Sequence, residues 1–272
     1  MKTKILIILI PIFVVFIYLG RRLYEYYSPA KERPFYKTSK HHDDTLRIAY
    51  VGDSWAFGHS DSWTFGSKPH ICRISDIIKD SLYRPIIVES YGISGLTSKK
   101  IYYALFEADI FRKFLEKGYD YCFISAGIND TYGKMSTSYY KQNMNCIIRF
   151  LLANHIHPII LEIPDYNIMK AYERQTIEKK LLRHLSMLIN GTQMDCKQQF
   201  RDALDELIID KGDQNKVSII RYKTWNNGYE TDLKEMYIGD QIHLNDKGYA
   251  VLDSVIANVI LNIEHNKASQ ME

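Results

Sequence analysis

No C-x-x-C pair occurs in this chain; its four cysteines, Cys72, Cys122, Cys146 and Cys196, lie far apart. That spacing argues against a structural zinc site and does not resemble a small disulfide framework. Cys122 falls inside an apolar run and reads as a buried small hydrophobe. Neither G-x-G-x-x-G nor G-x-x-x-x-G-K-[ST] is present, so dinucleotide and P-loop readings fall away. Charge of one sign is also scarce. The formal net charge is only +3, and no Lys/Arg stripe interleaved with aromatics appears, which excludes the electrostatic footprint of a nucleic-acid binder. Internal repeats and low-complexity tracts are missing. What remains is an ordinary globular balance, 46% hydrophobic and 25% charged over 272 residues, enough for a sizeable core and one catalytic domain. Tyrosine is abundant at 21 residues. Such rings either line a sugar or acyl pocket or simply pack with the hydroxyl at the surface.

The stretch Ile5 to Gly20, ILIILIPIFVVFIYLG, is uncharged over 16 residues, slightly under the roughly 17–25 that span a bilayer. No small-x-small cleavage pattern follows it, and no Cys is placed for lipid attachment, so an uncleaved anchor over residues 1–24 is expected, with the membrane as partner through residues 5–20. Lys2 and Lys4 precede it, while Arg21, Arg22, Lys31, Arg33, Lys37 and Lys40 follow. A count of flanking positives would leave the catalytic domain in the cytoplasm. A signal-anchor reading gives the reverse, and the extracytoplasmic side is the expectation adopted. Residues 25–44 read as a polar linker, since Ser28 to Asp44 carries two prolines and no periodicity. His41, His42, Asp43 and Asp44 there fit a solvated charged segment better than a metal site, and no metal or organic cofactor is expected.

From Thr45 onward, β-rich runs alternate with longer helical ones. Leu46 to Asp53, Pro85 to Ser90, Asp120 to Gly127, His157 to Pro164 and Val217 to Tyr222 read as buried strands. Their separations leave room for helical crossovers, which favours a parallel five-stranded sheet covered on both faces: an α/β, three-layer α/β/α sandwich. Two helices are expected over Tyr166 to Ile189 and Cys196 to Lys211, joined around Asn190-Gly191. The last helix is the clearest. Asn245 is its N-cap, and Val251/Leu252, Val255/Ile256, Val259/Ile260 and Ile263 form one apolar stripe. The domain is thus expected over 45–265, with a polar tail over 266–272.

In an open α/β sheet, ligands bind outside the carboxyl ends of the strands. Four of those exits carry apt chemistry: Gly52-Asp53-Ser54-Trp55, Ile93-Ser94-Gly95, Gly127-Ile128-Asn129-Asp130 and Asp240-Gln241-Ile242-His243. A serine hydroxyl needs an adjacent base, and the base needs a group that holds its tautomer. Ser54, His243 and Asp240 supply these roles, the D-x-x-H spacing letting the carboxylate reach Nδ1 while Nε2 stays free. An oxyanion needs aimed donors, and the N–H groups of Ser54 and Gly95 with the Asn129 amide sit on neighbouring loops. Each motif alone is often a mere turn. Together, in workable order at four strand exits, they make an acyl-transfer site.

On these residues the sequence resembles the SGNH/GDSL hydrolase family, from about Leu46 to the final helix. The resemblance implies a flavodoxin-like sandwich, Ser54 as nucleophile and first oxyanion donor, Gly95 and Asn129 as the other donors, His243 as base, Asp240 as its partner, and Asp53 and Asp130 as loop-shaping residues. HLNDKGY, from His243, resembles the family's run into its last helix. Trp55 departs from the small or aliphatic residue many members carry. An α/β-hydrolase is disfavoured, because its serine lies in G-x-S-x-G and its acid and histidine are far apart in sequence.

The expected activity is a membrane-anchored serine esterase acting on a short acyl group, an O-acetyl, of a cell-envelope carbohydrate, with Trp55, Phe57 and Trp63 as a candidate sugar platform. Acyl transfer to a glycan hydroxyl and lipid or lysophospholipid hydrolysis are the alternatives. A non-catalytic tethered module ranks last, since it predicts a degraded site.

Overall fold

The computed structural model describes residues 2–34, 43–58 and 70–270, the side chains of residues 2–12, 70, 71 and 229 excepted. The element order is α1 (Lys2–Tyr27), β1 (Leu46–Gly52), α2 (Ser54–Phe57), α3 (His70–Leu82), β2 (Ile86–Gly92), α4 (Ser98–Ala104), α5 (Ala108–Lys117), β3 (Tyr121–Ser125), α6 (Ile128–Gly133), α7 (Thr137–Ala153), β4 (His157–Leu161), α8 (Ile168–Glu173), α9 (Ile177–Asn190), α10 (Lys197–Lys211), β5 (Ser218–Ile220), α11 (Tyr229–Glu235) and α12 (Asp246–Ser269). The five strands are all parallel in the order β2-β1-β3-β4-β5.

This order places a topological switch between β1 and β3, where successive crossovers leave in opposite directions and open a crevice at the strand ends. β1 and β3 are central, and every residue of Tyr121–Ser125 is buried, as continuous apolar runs in a doubly covered sheet must be. α3 packs on α12, while α7 packs with α4 and α10. Leu252, Ile256 and Ile260 of α12 are buried, as their spacing requires, and the Asn245 side chain caps the helix by accepting from Gly248 N–H at 3.0 Å.

Two boundaries differ from the sequence reading. The helix expected from Tyr166 is split into α8 and α9 because Thr176 caps the second piece, its side chain accepting from Lys179 N–H. α9 ends where expected, at Gly191 with φ 64°. The expected C-terminal tail is helical through Ser269.

The N-terminal segment differs more. Among the described residues no helix is long and apolar enough to cross a membrane. The described apolar run of α1, Phe13–Leu19, covers about 10 Å at 1.5 Å per residue, a third of the ~30 Å hydrocarbon core, before Arg21 and Arg22 interrupt it. The other part of the expected span, residues 5–12, lies outside the described side chains. His41 and His42 also fall outside the described residues.

Residues 25–34, expected as linker, are instead docked. Lys99 Nζ donates to the carbonyls of Glu25 (2.6 Å) and Ser28 (2.7 Å), satisfying groups that a helix C-terminus leaves open. Ala30 is buried and its N–H donates to Asn143 Oδ1 at 2.7 Å. Lys31 and Arg33 N–H groups donate to the hydroxyls of Tyr103 and Tyr102. A segment without hydrophobic periodicity docks here through its backbone, a mode of attachment that leaves no periodic trace.

Candidate active site

Ser54 follows β1 directly as the first residue of α2. The turn is tight because Gly52, at φ +156°, lies against β3: a Cβ there would fall 2.1 Å from Ser125 O. Asp53 caps α2. Its Oδ1 accepts from Trp55 N–H (3.1 Å) and from Ser125 Oγ–H (2.8 Å), joining the two strand ends across the switch. Burial pushes the Asp53 carboxyl up to about 6.

His243 reaches Ser54 from a loop ahead of α12. Its Nε2 lies 2.8 Å from Ser54 Oγ and its Nδ1 2.5 Å from Asp240 Oδ2. The other carboxylate oxygen, Oδ1, accepts from the N–H groups of Ile242 (2.8 Å) and His243 (3.0 Å), so one side chain both shapes the turn and orients the ring. The spacing works because Gln241 takes φ 59°. Asn167 holds it there by donating its N–H to Gln241 O and its amide to Gln241 Oε1. Burial raises the Asp240 carboxyl, but the bonds from His243 and from the two N–H groups outweigh it and hold it at about 2. An ionised carboxylate can only accept, so Nδ1 carries the proton and Nε2 is left with its lone pair toward the Ser54 hydroxyl.

Gly95 and Asn129 line one cleft of about 350 Å³. Gly95 sits at φ +80° with open space where a Cβ would be. One N–H of the Asn129 amide is donated to Leu96 O at 3.0 Å, which fixes the plane of the group. Asp130, the next residue, is fully buried and receives Ser98 N–H (2.8 Å) and Ser98 Oγ–H (2.5 Å). Burial pushes its carboxyl up to about 6. Ser98 Oγ in turn accepts from Asn143 Nδ2 (2.9 Å), the same amide that takes the Ala30 N–H. A chain of bonds thus runs from the N-terminal strap to the Asn129 loop.

The sugar-platform expectation is corrected at Trp55. The indole is fully buried, packs edge-on to Trp225 and Tyr237 at 6.3 and 6.2 Å, and donates Nε1–H to Ile242 O at 3.2 Å. It is a brace between the Ser54 turn and the His243 loop, and no face of it is open to a ligand. Phe57, two residues on, is exposed at the end of α2. Trp63 lies outside the described residues. Sequence reasoning missed the residues that line the cleft beside Gly95 and Asn129, among them Tyr26, Tyr103, Tyr132, Tyr139, Lys99 and Arg183. They come from α1, α4, α6, α7 and α9, and no spacing along the chain links them. Among the described residues no cluster of three or more His, Cys, Asp or Glu is placed to hold a metal.

A search of curated proteins gives no match. Solved structures with the same fold include a lipase/acylhydrolase from Enterococcus faecalis, with a TM-score of 0.56 and 18% identity over 79% of this chain and 95% of that one. A GDSL-like lipase from Bacteroides thetaiotaomicron has a TM-score of 0.52 and 18% identity over 80% of this chain and 88% of its own. An acetyl xylan esterase has a TM-score of 0.54 and 16% identity over 79% and 100%. At these identities the likeness shows the fold alone. The sequence profile described as the GDSL-like Lipase/Acylhydrolase family matches residues 50–251, which include all four motifs, and the chain belongs to that family as a hydrolase of ester bonds.

Proposed function

We propose that the protein cleaves a short acyl ester, an O-acetyl group, from a cell-envelope carbohydrate, with Ser54 as nucleophile, His243 as base and Asp240 as its orienting partner. The observation that carries this reading is the unbroken relay Ser54 Oγ···Nε2 His243 Nδ1···Asp240 Oδ2 at 2.8 and 2.5 Å. In the first step Nε2 takes the Ser54 proton as Oγ attacks the ester carbon. The oxyanion is met by the N–H groups of Ser54 and Gly95 and by the Asn129 amide. Collapse expels the sugar alcohol, which takes the proton back from His243, and water repeats the sequence on the acyl-enzyme.

The carbohydrate part rests on the cleft next to those donors. Its lining includes Tyr26, Tyr103, Tyr132 and Tyr139, a side-chain type that joins an apolar ring to a polar hydroxyl, as a sugar pocket requires. That an acetyl xylan esterase shares the fold agrees with it. The hydrolase unit comprises residues 45–265 with the strap over 25–34 docked on it. Attachment to the membrane through residues 5–20, with the unit on the extracytoplasmic side, belongs to the same proposal. It is supported by the uncharged sequence of that stretch and by the exposed side chains of Phe13–Leu19.

The test is initial-rate hydrolysis by the full chain of a p-nitrophenyl ester series from acetate upward, followed by acetate release from acetylated glycans, beside Ser54→Ala. Activity on acetate that vanishes with Ser54, together with acetate release from glycans, is expected. Activity confined to long acyl chains would reject the carbohydrate assignment, and activity unchanged in Ser54→Ala would reject the nucleophile.

A further inference from the structure

Helix α9 is built inside out. A helix on the surface of a water-soluble fold turns its apolar stripe to the core and its charges to solvent. In α9 the side chains of Ile177, Leu181, Leu182, Leu185, Leu188 and Ile189 face solvent, from 44% exposed at Leu185 to 83% at Leu188. At 3.6 residues per turn they fall in one arc of about 140°. The inward side is polar instead. Ser186 is buried against the Tyr27 hydroxyl (2.5 Å), Asn190 donates to Lys134 O (2.8 Å), and Arg183 donates to Gly133 O (3.3 Å) while its guanidinium lies 5.1 Å from the Tyr132 ring centre. The helix is thus fastened to the fold by hydrogen bonds, and its leucine stripe is left without a partner in the described chain.

We infer that this stripe lies in the interfacial layer of a membrane bearing anionic lipids, as a second and in-plane membrane contact. Two observations choose this occupant. The first is continuity: Tyr27 ends α1, so α9 sits at the foot of the helix whose Phe13–Leu19 run is exposed on every side. The second is charge. Lys179 and Lys180 flank the stripe, about 60° beyond its two edges, Glu178 is the one acid within its arc, and Arg21 and Arg22 follow the apolar run of α1. Leucines on one face with Lys and Arg on another is the composition of helices that rest in the headgroup boundary of anionic bilayers.

This placement has a consequence for the active site. Arg183 of α9 and Tyr26 of α1 both line the cleft that holds Gly95 and Asn129. Docking α9 on lipid therefore sets the mouth of that cleft at headgroup level, so that the esters it receives are ones displayed at the membrane surface. The inference needs no crossing by α1 and does not depend on the ester chemistry.

The experiment uses the full chain with Leu188→Cys carrying an environment-sensitive fluorophore, in a Cys72→Ser background, since the other three cysteines are buried. The protein is placed in vesicles of phosphatidylcholine with or without phosphatidylglycerol, containing lipid-borne nitroxide. Retained ester hydrolysis shows that the labelled chain is folded. Quenching by the nitroxide, stronger with the anionic lipid, is expected. It should be lost when Leu181→Asp and Leu182→Asp are added, and unchanged by Ser54→Ala. A probe that stays in water overturns the inference. So does a probe that is shielded but unquenched, as a second copy over the stripe would make it, and so does quenching that survives the two Asp substitutions, because α1 alone would then account for it.

Discussion

Replacing Asp53 by Asn tests the electrostatics on which the Ser54 turn is built. The Asp53 carboxyl is fully buried, and burial raises it from an ordinary 3.8 to about 6. Between about pH 4 and pH 6 the unfolded chain has lost the proton and the folded chain still holds it, so stability falls as pH rises through that window. At 1.36 kcal/mol per pH unit, the rise to about 6 corresponds to a loss of roughly 3 kcal/mol across the window. Asn keeps an oxygen to accept from Trp55 N–H and Ser125 Oγ–H but does not titrate. Whatever the substitution costs in packing is the same at every pH, so the informative quantity is a double difference. Relative to wild type, Asp53→Asn should gain about 3 kcal/mol on going from pH 4 to pH 7. Denaturant unfolding of both full chains at pH 4, 5, 6 and 7, with linear extrapolation, measures it. A difference that stays flat across those pH values would refute the reasoning.

Asn129→Ala removes one of the proposed oxyanion donors and should lower kcat by about 10²–10³ with KM much less affected, as measured on p-nitrophenyl acetate. Asp240→Asn should lower kcat by about 10⁴, because a neutral amide no longer fixes the proton on Nδ1; a change below tenfold would remove Asp240 from the relay. The Asp240 carboxyl is held below its ordinary 3.8, at about 2, so the stability it contributes is present above pH 4 and disappears as pH falls toward 2. Acid unfolding of the Asn variant should lack that component. Asn143→Leu leaves the buried Ala30 N–H without its acceptor and should cost about 1–3 kcal/mol in denaturant unfolding. It should also lower turnover through Ser98 and Asp130, and unchanged stability would mean that the strap is not held as described.

Each of the four motifs is short in sequence, and three of them directly follow a strand whose apolar run is itself legible while Asp240 to His243 lies in the loop ahead of α12, which is why strand positions, sheet class and candidate site residues could be read from the chain. The D-x-x-H turn is a local structure, closed by one carboxylate and the αL conformation of Gln241. The last helix declares itself through its cap and its four-residue repeat. These are properties of neighbours in sequence, where a few bonds and one periodicity suffice.

Tertiary contacts decided the rest. Trp55 follows the serine and invites a sugar-binding reading, yet its burial depends on Trp225 and Tyr237, more than a hundred residues away. The strap over 25–34 is polar and aperiodic like a linker, and it docks through backbone N–H groups that no side-chain pattern reports. The amphipathic pattern of α9 is plain in the sequence, but periodicity gives only the existence of an apolar face. Which way that face turns was set by Tyr27, Lys134 and Gly133, whose polar groups bonded the opposite side of the helix and left the leucines outward.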